Sequence, residues 1–253
     1  MYLRLRQLCL VAEKLEPVVE DLKAVFDIEV CHRDPGVEHF GLHNALLRIG
    51  TSFIEVVAPI AEGTAAGRYL ERRGGDGGYM VINDTDDLGY WESRMEQVGV
   101  RIAAKLEVDD YCGLQLHPRD TGGALLEINQ TGEGGPLDGD YHPAGPNWQS
   151  SKPSGLATGV TGAELQSDDP QALAKRWGEI LDRPVEEGSD GLRIALDNAH
   201  LRFVPAEDGR GDGLGGIDLA VSDAEAIRER CRQRELPVMD DCVVVCGVRF
   251  YLK

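Results

Sequence analysis

Apolar residues recur at the spacing of one helical face in four separate segments of the chain. Residues 15–30 read LEPVVEDLKAVFDIEV and place their apolar side chains on one stripe, which is typical of an amphipathic helix. The same pattern returns in three later segments, at residues 85–102, 167–185 and 222–238. The pattern predicts a helix in each of the four.

A short apolar strand pattern precedes each helix, and a strand meander follows the first three. The preceding strands read LRLRQLCLV, GYMVIND, GVTGAELQ and GGIDLAV, and hairpin-like sequences follow at 45–59, 113–129 and 192–206. Hydroxyl residues stand ahead of the last three helices, namely Thr85, Ser167 and Ser222. We predict that they cap those helices, because a side-chain oxygen there accepts from a free helical N–H.

The repeated unit is a strand, a helix and about three further strands. Its repetition predicts an α+β fold of four βαβββ modules, paired into two domains at residues 1–130 and 158–253. Residues 131–157 are rich in Gly, Pro and Ser and are predicted to be an irregular linker, with shorter breaks at 61–76 and 207–214. The alternative is a generic α+β protein with accidental internal similarity.

Net charge, the length of apolar runs and the cysteine pattern limit the partners that the protein can bind and the cellular compartment expected for it. A net charge of −18 disfavours nucleic acid, which needs a basic face. No stretch of 18 apolar residues is present to cross a membrane. The opening MYLRLRQLCLVAEKLE lacks a signal-peptide pattern, and six scattered cysteines without a CxxC pair indicate free thiols. A cytoplasmic protein is therefore expected.

Three polar residues stand inside apolar strand patterns. Gln7 is the polar exception on its face of LRLRQLCLV, Glu55 shares a strand face with Phe53 and Val57, and Glu127 lies between apolar neighbours in ALLEIN. A carboxylate inside an apolar strand is costly unless it is paired, protonated or metal-bound. The three are therefore candidate site residues, and the alternative is an edge-strand position or a pairing with an arginine such as Arg48.

The modules resemble the vicinal oxygen chelate superfamily, which includes glyoxalase I, methylmalonyl-CoA epimerase, extradiol dioxygenases and bleomycin-resistance proteins. The resemblance is carried by LRQLCLVAEKLE, by HNALLRIGTSFIEVVAP and by LHPRDTGGALLEINQ at 116–130. The last of these is similar to the closing hairpin of methylmalonyl-CoA epimerases. The resemblance implies that each pair of modules forms a cupped mixed sheet, so that the chain has two glyoxalase-like domains.

The resemblance also implies a divalent metal ion in the first cup, held by the first and last strand of each module. The matching positions are Gln7 and Glu55 in the first module, and Tyr79 or Met80 together with Glu127 in the second. Gln and Glu fit such a site, whereas neither Tyr nor Met is a normal ligand for a hard divalent ion. The ion implied is Zn, Ni, Co, Mn, Mg or Fe.

The corresponding positions of the second domain retain no ligand set. They fall near Gly162 and Gly216 in the opening strands, on Leu201 or Arg202 at the end of the third module, and on Tyr251 in the final strand. The second domain is therefore predicted to be a structural partner without a metal.

Further candidates are substrate contacts. His43 and Asn44 are predicted to face the cup, as are Tyr79 and Met80. His117 and Arg119 stand at the mouth of the closing hairpin. They are expected to stabilise the turn, and the alternative is that Arg119 anchors an anionic group. The expected partner is a small molecule, and a homodimer is an open alternative.

Three functions remain. The first is a metal-dependent proton-transfer enzyme, an isomerase, epimerase or lyase, in which the ion polarises a carbonyl or thioester and Glu55 or Glu127 moves the proton. The second is a metal-free protein that binds or sequesters a small molecule in the same cup. The third is an extradiol-type iron dioxygenase, which ranks last because no His occupies either first-strand ligand position.

Overall fold

A computed structural model describes residues 1–188 and 191–253. In these residues the chain forms two mixed β-sheets and six α-helices. The helices are α1 (Leu15–Phe26), α2 (Ala65–Arg73), α3 (Leu88–Gln97), α4 (Pro118–Thr121), α5 (Pro170–Leu181) and α6 (Ala224–Gln233). None of the helices described is both long and apolar enough to cross a membrane.

The first two modules share one sheet. Its described strands are β1 (Leu3–Val11), β2 (Val30–His32), β3 (Leu42–Ile49), β4 (Ser52–Pro59), β5 (Gly77–Thr85), β6 (Ile102–Val108), β7 (Tyr111–Leu116) and β8 (Leu125–Thr131). They lie in the order β2-β3-β4-β1-β5-β8-β7-β6. Each module therefore contributes an opening strand, a helix and a three-strand meander, as the sequence pattern predicts.

The last two modules share the second sheet. Its described strands are β9 (Ala157–Ser167), β10 (Val185–Gly188), β11 (Gly191–Ala195), β12 (His200–Pro205), β13 (Gly213–Val221), β14 (Cys242–Val245) and β15 (Val248–Leu252). They lie in the order β10-β11-β12-β9-β13-β15-β14. The α+β architecture of repeated modules in two mixed sheets is confirmed.

The fourth module is shorter than the predicted unit. Among the described residues, two strands follow α6, and a single bridge between Val238 and Val243 stands where a third strand would pair. Pro237 precedes this bridge and has no N–H to give to a strand ladder, and Asp240 and Asp241 follow it on the exposed side. A full strand cannot extend through such a segment.

The N-caps of α3, α5 and α6 are aspartates and not the predicted hydroxyl residues. Asp87 caps α3, Asp169 caps α5 and Asp223 caps α6, each accepting from the N–H three residues later. The Thr85 hydroxyl accepts instead from the backbone N–H of Asp87 at 3.3 Å, and Ser167 does the same for Asp169 at 3.1 Å. Thr85 and Ser167 thus shape the turn that places the capping aspartate, whereas the Ser222 hydroxyl donates to the Gly155 carbonyl at 3.1 Å.

Register fixes the neighbours of the central strand β8. It runs parallel to β5, with Ile82 beside Glu127 and Asp84 beside Asn129. It runs antiparallel to β7, with Gln115 beside Glu127. Because paired residues project to the same face of a sheet, polar side chains of β5, β7 and β8 meet on one face.

The chain divides into two compact units. The first unit comprises Met1–Gln7, Tyr79–His142 and Gly162–Leu214, which is most of modules two and three. The second unit comprises Leu8–Gly78, Pro143–Thr161 and Gly215–Lys253, which is most of modules one and four. The units follow helix packing, in which α4 contacts α5 within the first and α1 contacts α6 within the second. The domains at 1–130 and 158–253 therefore stay a prediction.

The predicted linker is not an exposed tether. Two short 3₁₀ turns interrupt it, at His142–Ala144 and at Trp148–Ser150. Tyr141, in the first unit, and Trp148, in the second, are each only 2% exposed. The Trp148 ring packs edge-on against Phe53, with 5.1 Å between the ring centres. The predicted break at 61–76 likewise contains the helix α2.

The aspartate caps give a direct test of the helix starts. Replacing Asp169 by Ala should lower the free energy of unfolding by about 1 kcal/mol, because the Ala172 N–H loses its acceptor. Replacing the neighbouring Asp168, whose side chain bonds to no described residue, should change it by less than about 0.5 kcal/mol. Urea unfolding of both variants makes the comparison, and equal losses would contradict the cap at Asp169.

Candidate active site

Glu127 is a buried carboxylate at the centre of the first unit's polar network. Its residue is 4% exposed, and its neighbours Leu126 and Ile128 are fully buried on the opposite face of β8. The strand alternates in this way because its apolar residues face the core and its polar ones face the other side of the sheet. Glu127 thus sits on the polar face, where the sequence pattern placed it.

Three neutral donors hold the Glu127 carboxylate. The Tyr111 hydroxyl donates to Oε1 at 2.6 Å, and the Asn129 amide donates to the same oxygen at 3.1 Å. The Gln115 amide donates to Oε2 at 3.0 Å. A carboxylate oxygen offers two lone pairs. One lone pair of Oε2 is therefore not engaged by these donors.

Glu127 differs from the other buried carboxylates of the first unit. Asp84 is paired with Arg4 at 2.6 Å, and Glu164 is paired with Arg202 at 2.9 Å. Glu127 has no ion pair with any described residue. A carboxylate removed from water without a cation costs several kcal/mol, which neutral donors offset only in part. Buried groups kept at such a cost concentrate at functional sites.

Gln7 joins this network through Tyr141. The Tyr141 hydroxyl donates to Gln7 Oε1 at 3.2 Å. The Asn129 amide that holds Glu127 also donates to the Tyr141 hydroxyl, at 3.4 Å. Two of the three residues predicted for the cup, Gln7 and Glu127, are therefore linked through two side chains.

A buried arginine lies beside the same tyrosine. Arg6 is 1% exposed, and its guanidinium carbon lies 4.9 Å from the centre of the Tyr141 ring. Burial lowers the pKa of Arg6, and the nearby charge of Asp84 opposes that shift. An arginine keeps its charge under these conditions because its ordinary pKa lies far above neutral pH. The network therefore contains a fixed positive charge.

Burial also acts on both tyrosines. It raises the pKa of Tyr111 well above its ordinary value, and the charge of Glu127 raises it further. Burial likewise raises the pKa of Tyr141. Both phenols therefore stay protonated at neutral pH and act as hydrogen-bond donors.

The residues of this network do not fit a divalent ion at Glu127. Gln115 and Asn129 present N–H groups to the carboxylate, and the charge of Arg6 stands nearby. A metal ion requires lone pairs directed at it and is repelled by a guanidinium. In the part of the chain described, no group of three or more His, Cys, Asp or Glu side chains is arranged to hold a metal. The divalent ion stays a prediction of the family resemblance, and the donors around Glu127 do not support it.

Glu55 belongs to the second unit and has its own partner. Its Oε1 accepts from the Asn44 side-chain amide at 2.6 Å, and the side-chain oxygen Oδ1 of Asn44 accepts from the backbone N–H of Asp34 at 2.8 Å. Asn44 thus orients Glu55, while the adjacent His43 is exposed. The convergence of Gln7, Glu55 and Glu127 on one point stays a prediction.

The other predicted contacts take separate places. Register puts Met80 on the face of Glu127 and Tyr79 on the opposite face. His117 caps the short helix α4 by accepting from the Arg119 N–H at 3.2 Å. The exposed Arg119 side chain lines an open cavity of about 490 Å³ beside the start of α5. Among the described contacts, Met80, His117 and Arg119 make no hydrogen bond to the network around Glu127.

The positions predicted to be degenerate in the second domain include a buried ion pair. Arg202 of β12 is registered with Glu164 of β9, as Glu127 is with Ile82 in the second module. Gly162 is registered with His200, and Gly216 with Arg249. In the third module a guanidinium thus replaces the carboxylate at the end of the last strand. The prediction that this domain holds no metal stays a prediction.

Five residues of this network were not predicted: Arg6, Tyr111, Gln115, Asn129 and Tyr141. Tyr111 lies on β7 and Asn129 lies on β8. Both reach Glu127 only because of the register between these two strands, which the sequence alone does not give. A signal did exist for Asn129, which stands two residues beyond Glu127 on the same strand face. Tyr141 stood in a segment rich in Gly and Pro and gave no such signal.

Comparison with known proteins agrees with the fold. A family model described as a glyoxalase-like domain matches residues 8–181. The Mn(II)-bound glyoxalase of Novosphingobium aromaticivorans matches with a TM-score of 0.64 and 12% identity, over 98% of this chain and 81% of that one. An ethylmalonyl-CoA/methylmalonyl-CoA epimerase of Cereibacter sphaeroides is 23% identical over 131 residues, which are 50% of this chain and 97% of the relative.

A Streptomyces coelicolor methylmalonyl-CoA epimerase bound to 2-nitronate-propionyl-CoA matches with a TM-score of 0.47 and 24% identity, over 52% of this chain and 99% of that one. The family model covers more than half of the present sequence. The chain belongs to the glyoxalase-like domain family, and its resemblance to the vicinal oxygen chelate superfamily is confirmed.

The Tyr111 hydroxyl can be tested by removing it. Tyr111→Phe should lower the free energy of unfolding at pH 7 by about 1.5–3 kcal/mol, because a buried charge loses a donor. Tyr90, which is half-buried and donates to Asp182, is the matched control, and its change to Phe should cost less than about 1 kcal/mol.

Alkaline pH provides a second readout for Tyr111. Its pKa is higher in the folded protein than the ordinary value of 10.0, so the unfolded chain loses this proton first. The contribution of the Tyr111 phenol to the free energy of unfolding should therefore be fully present below pH 10 and be lost as pH rises above it. Tyr111→Phe should make the fall of stability at alkaline pH shallower. An unchanged alkaline slope in urea titrations would contradict the burial of this phenol.

Proposed function

We propose that this protein moves a proton at a carbon atom next to a carbonyl or thioester, as an isomerase, epimerase or lyase, with Glu127 as the base. The observation that supports this most is the buried Glu127 carboxylate, which three neutral donors hold without a cation. A base needs a fixed position and a lone pair that is not engaged. Glu127 has both.

The donors assign different tasks to the two oxygens of Glu127. Tyr111 and Asn129 occupy Oε1 and fix the plane of the carboxylate. Gln115 holds Oε2 from one side, so that the remaining lone pair of Oε2 receives the substrate proton. The pair of electrons released from the C–H bond moves onto the carbonyl oxygen of the substrate. Returning the proton to either face of the carbon gives back the substrate or its isomer.

Glu55 is the second candidate base. Asn44 fixes its Oε1 much as Asn129 fixes that of Glu127, and the residue is 7% exposed. Glu55 is the base in place of Glu127 if Glu55→Gln stops proton exchange and Glu127→Gln does not.

A metal-free binding protein is the second candidate function. The buried Tyr141 hydroxyl favours this function. It already bonds to Gln7 and Asn129 close to Glu127, as a group that binds a ligand without reacting would do. A binding protein would retain ligand and exchange no proton. Proton exchange in heavy water therefore distinguishes the two functions.

The test uses methylmalonyl-CoA, the compound named for the relative from C. sphaeroides, as a probe. Deuterium incorporation at its α-carbon in heavy water should occur with the unaltered protein. Glu127→Gln should slow it about 100-fold or more, because the amide cannot accept the proton. Glu107→Gln, at an exposed position in β6, is the control and should leave the rate unchanged.

The same assay tests metal dependence. Chelator-treated protein should exchange as fast as untreated protein, and added Mn²⁺ should not raise the rate, since the Glu127 network presents donors and not ligands. If exchange stops with the chelator and returns with Mn²⁺, the metal-dependent form of the reaction is correct. Equal exchange by Glu127→Gln and the unaltered protein would reject Glu127 as the base.

A further inference from the structure

Gly113 lies in the interior of β7, on the same face of the sheet as Glu127. It is buried, and it pairs with Asn129 of β8 on one side and with Leu106 of β6 on the other. A glycine in the middle of a strand weakens that strand, because it packs no side chain and has a flexible backbone. Such a glycine often marks a place where another group approaches closely. Its presence in β7 therefore needs a reason.

The backbone conformation of Gly113 is not that reason. Its φ is not among the positive values that many other glycines of the chain adopt. The pairings on both sides of Gly113 also continue without a shift in register. Any residue can adopt extended backbone, so the strand itself would accept a side chain at this position. What excludes a side chain is the space above Gly113.

The Tyr111 side chain occupies that space. A β-carbon placed on Gly113 would lie 2.6 Å from the Tyr111 hydroxyl oxygen and 3.1 Å from Cζ of the same ring. It would also lie 3.3 Å from Oε1 of Glu127. Packed atoms prefer separations of about 3.5–4.0 Å. Alanine at position 113 would therefore displace the Tyr111 hydroxyl from where it stands.

Register explains why Tyr111 must cross this position. Gln115 is the residue of β7 that stands opposite Glu127, whereas Tyr111 stands opposite Thr131. Four residues separate Tyr111 from Gln115 along the strand, which is a distance of about 13 Å. Tyr111 therefore reaches the Glu127 carboxylate only by leaning along β7 over Gly113. Its hydroxyl then donates to Oε1 at 2.6 Å.

We propose that Gly113 is a positioning residue of the proton transfer, because its missing side chain allows the Tyr111 hydroxyl to lie across β7 and hold Oε1 of Glu127. This inference rests on the proposed function, in which Glu127 is the base. Gly113 touches no reacting atom and acts through Tyr111. The stability that the strand gives up at Gly113 is thus exchanged for a carboxylate in a fixed position.

The first experiment measures the effect of one added methyl group with and without the Tyr111 hydroxyl. Gly113→Ala alone should raise the equilibrium constant for unfolding in urea about tenfold or more, because a buried carboxylate loses a donor. In the Tyr111→Phe background the hydroxyl is absent. Gly113→Ala should there raise the constant by less than about twofold or lower it, because alanine restricts the unfolded chain.

Gly159 provides the matched control. It also lies within a strand, β9, and a β-carbon placed on it would meet only the Ala220 side chain, at 3.9 Å. Gly159→Ala should therefore have the same effect on unfolding whether position 111 carries tyrosine or phenylalanine.

The titration of the Tyr111 phenol reports its contact with Glu127. Burial raises the pKa of Tyr111 well above its ordinary value of 10.0, and the charge of Glu127 raises it further. Gly113→Ala moves the hydroxyl away from that charge, so the pKa of Tyr111 should fall toward 10.0. Adding Glu127→Gln should lower the pKa of Tyr111 in the unaltered background and change it less in Gly113→Ala. The carbon-13 signal of Cζ, identified by its absence in Tyr111→Phe, measures each pKa.

Proton exchange into methylmalonyl-CoA completes the comparison. Gly113→Ala and Tyr111→Phe should each slow it about tenfold or more, because either change releases Oε1 of Glu127. The double variant should be slower than Tyr111→Phe by less than about twofold, since both changes remove the same contact. Gly159→Ala should exchange at the unaltered rate.

An effect of Gly113→Ala on unfolding that is equal in both backgrounds would overturn the proposal, as would an unchanged titration of Tyr111. If Gly113→Ala does not fold, the double variant with Tyr111→Phe decides instead. Folding of the double variant would support the proposal, because the obstacle would then be the Tyr111 hydroxyl. Failure of the double variant to fold would overturn it.

The outcomes separate this inference from the proposed function. The predicted unfolding and titration results without any proton exchange would support the role of Gly113 in holding Glu127 and reject the reaction. Exchange that depends on Glu127 but is equally fast in Gly113→Ala would support the reaction and reject the positioning role.

Discussion

The burial of one carboxylate without a cation is the constraint on which the site depends. Glu127 lies in a central strand between fully buried apolar neighbours, so water cannot solvate it freely. The surrounding strands compensate with a phenol and two amides, each placed by the register of β7 and β8. Asp84 and Glu164 show the other solution, since each is neutralised by an arginine. Only the first arrangement leaves the carboxylate without a cation among its described partners.

The fold was accessible from sequence because it depends on periodicity. Apolar stripes and short strands repeat along the chain, and the two sheets follow from that repetition. The failures were local. Asp87, Asp169 and Asp223 cap helices where hydroxyl residues were expected, and Thr85 and Ser167 accept instead from the backbone N–H groups of Asp87 and Asp169. The fourth module lacks a full strand because of Pro237.

The site was accessible only in part. Glu127 could be singled out because a charged residue in an apolar strand violates the usual rule of burial. Its donors could not, since Tyr111 and Gln115 reach it only through cross-strand register. Tyr141 was hidden for a different reason. Glycine and proline predict an irregular segment correctly, but they do not reveal that one aromatic residue of that segment is buried against a polar network.

The position of the Glu127 carboxylate is the central claim, and Glu127→Asp tests it most directly. The change keeps the charge and the acid–base chemistry but withdraws the carboxylate by about 1.5 Å, and a displacement of that order can reduce a reaction about 100-fold. Solvent deuterium incorporation into methylmalonyl-CoA is the measurement. The account predicts a folded variant that exchanges about 100-fold more slowly. A variant that exchanges at the unaltered rate would contradict the account, because the geometry held by Tyr111, Gln115 and Asn129 would then be irrelevant.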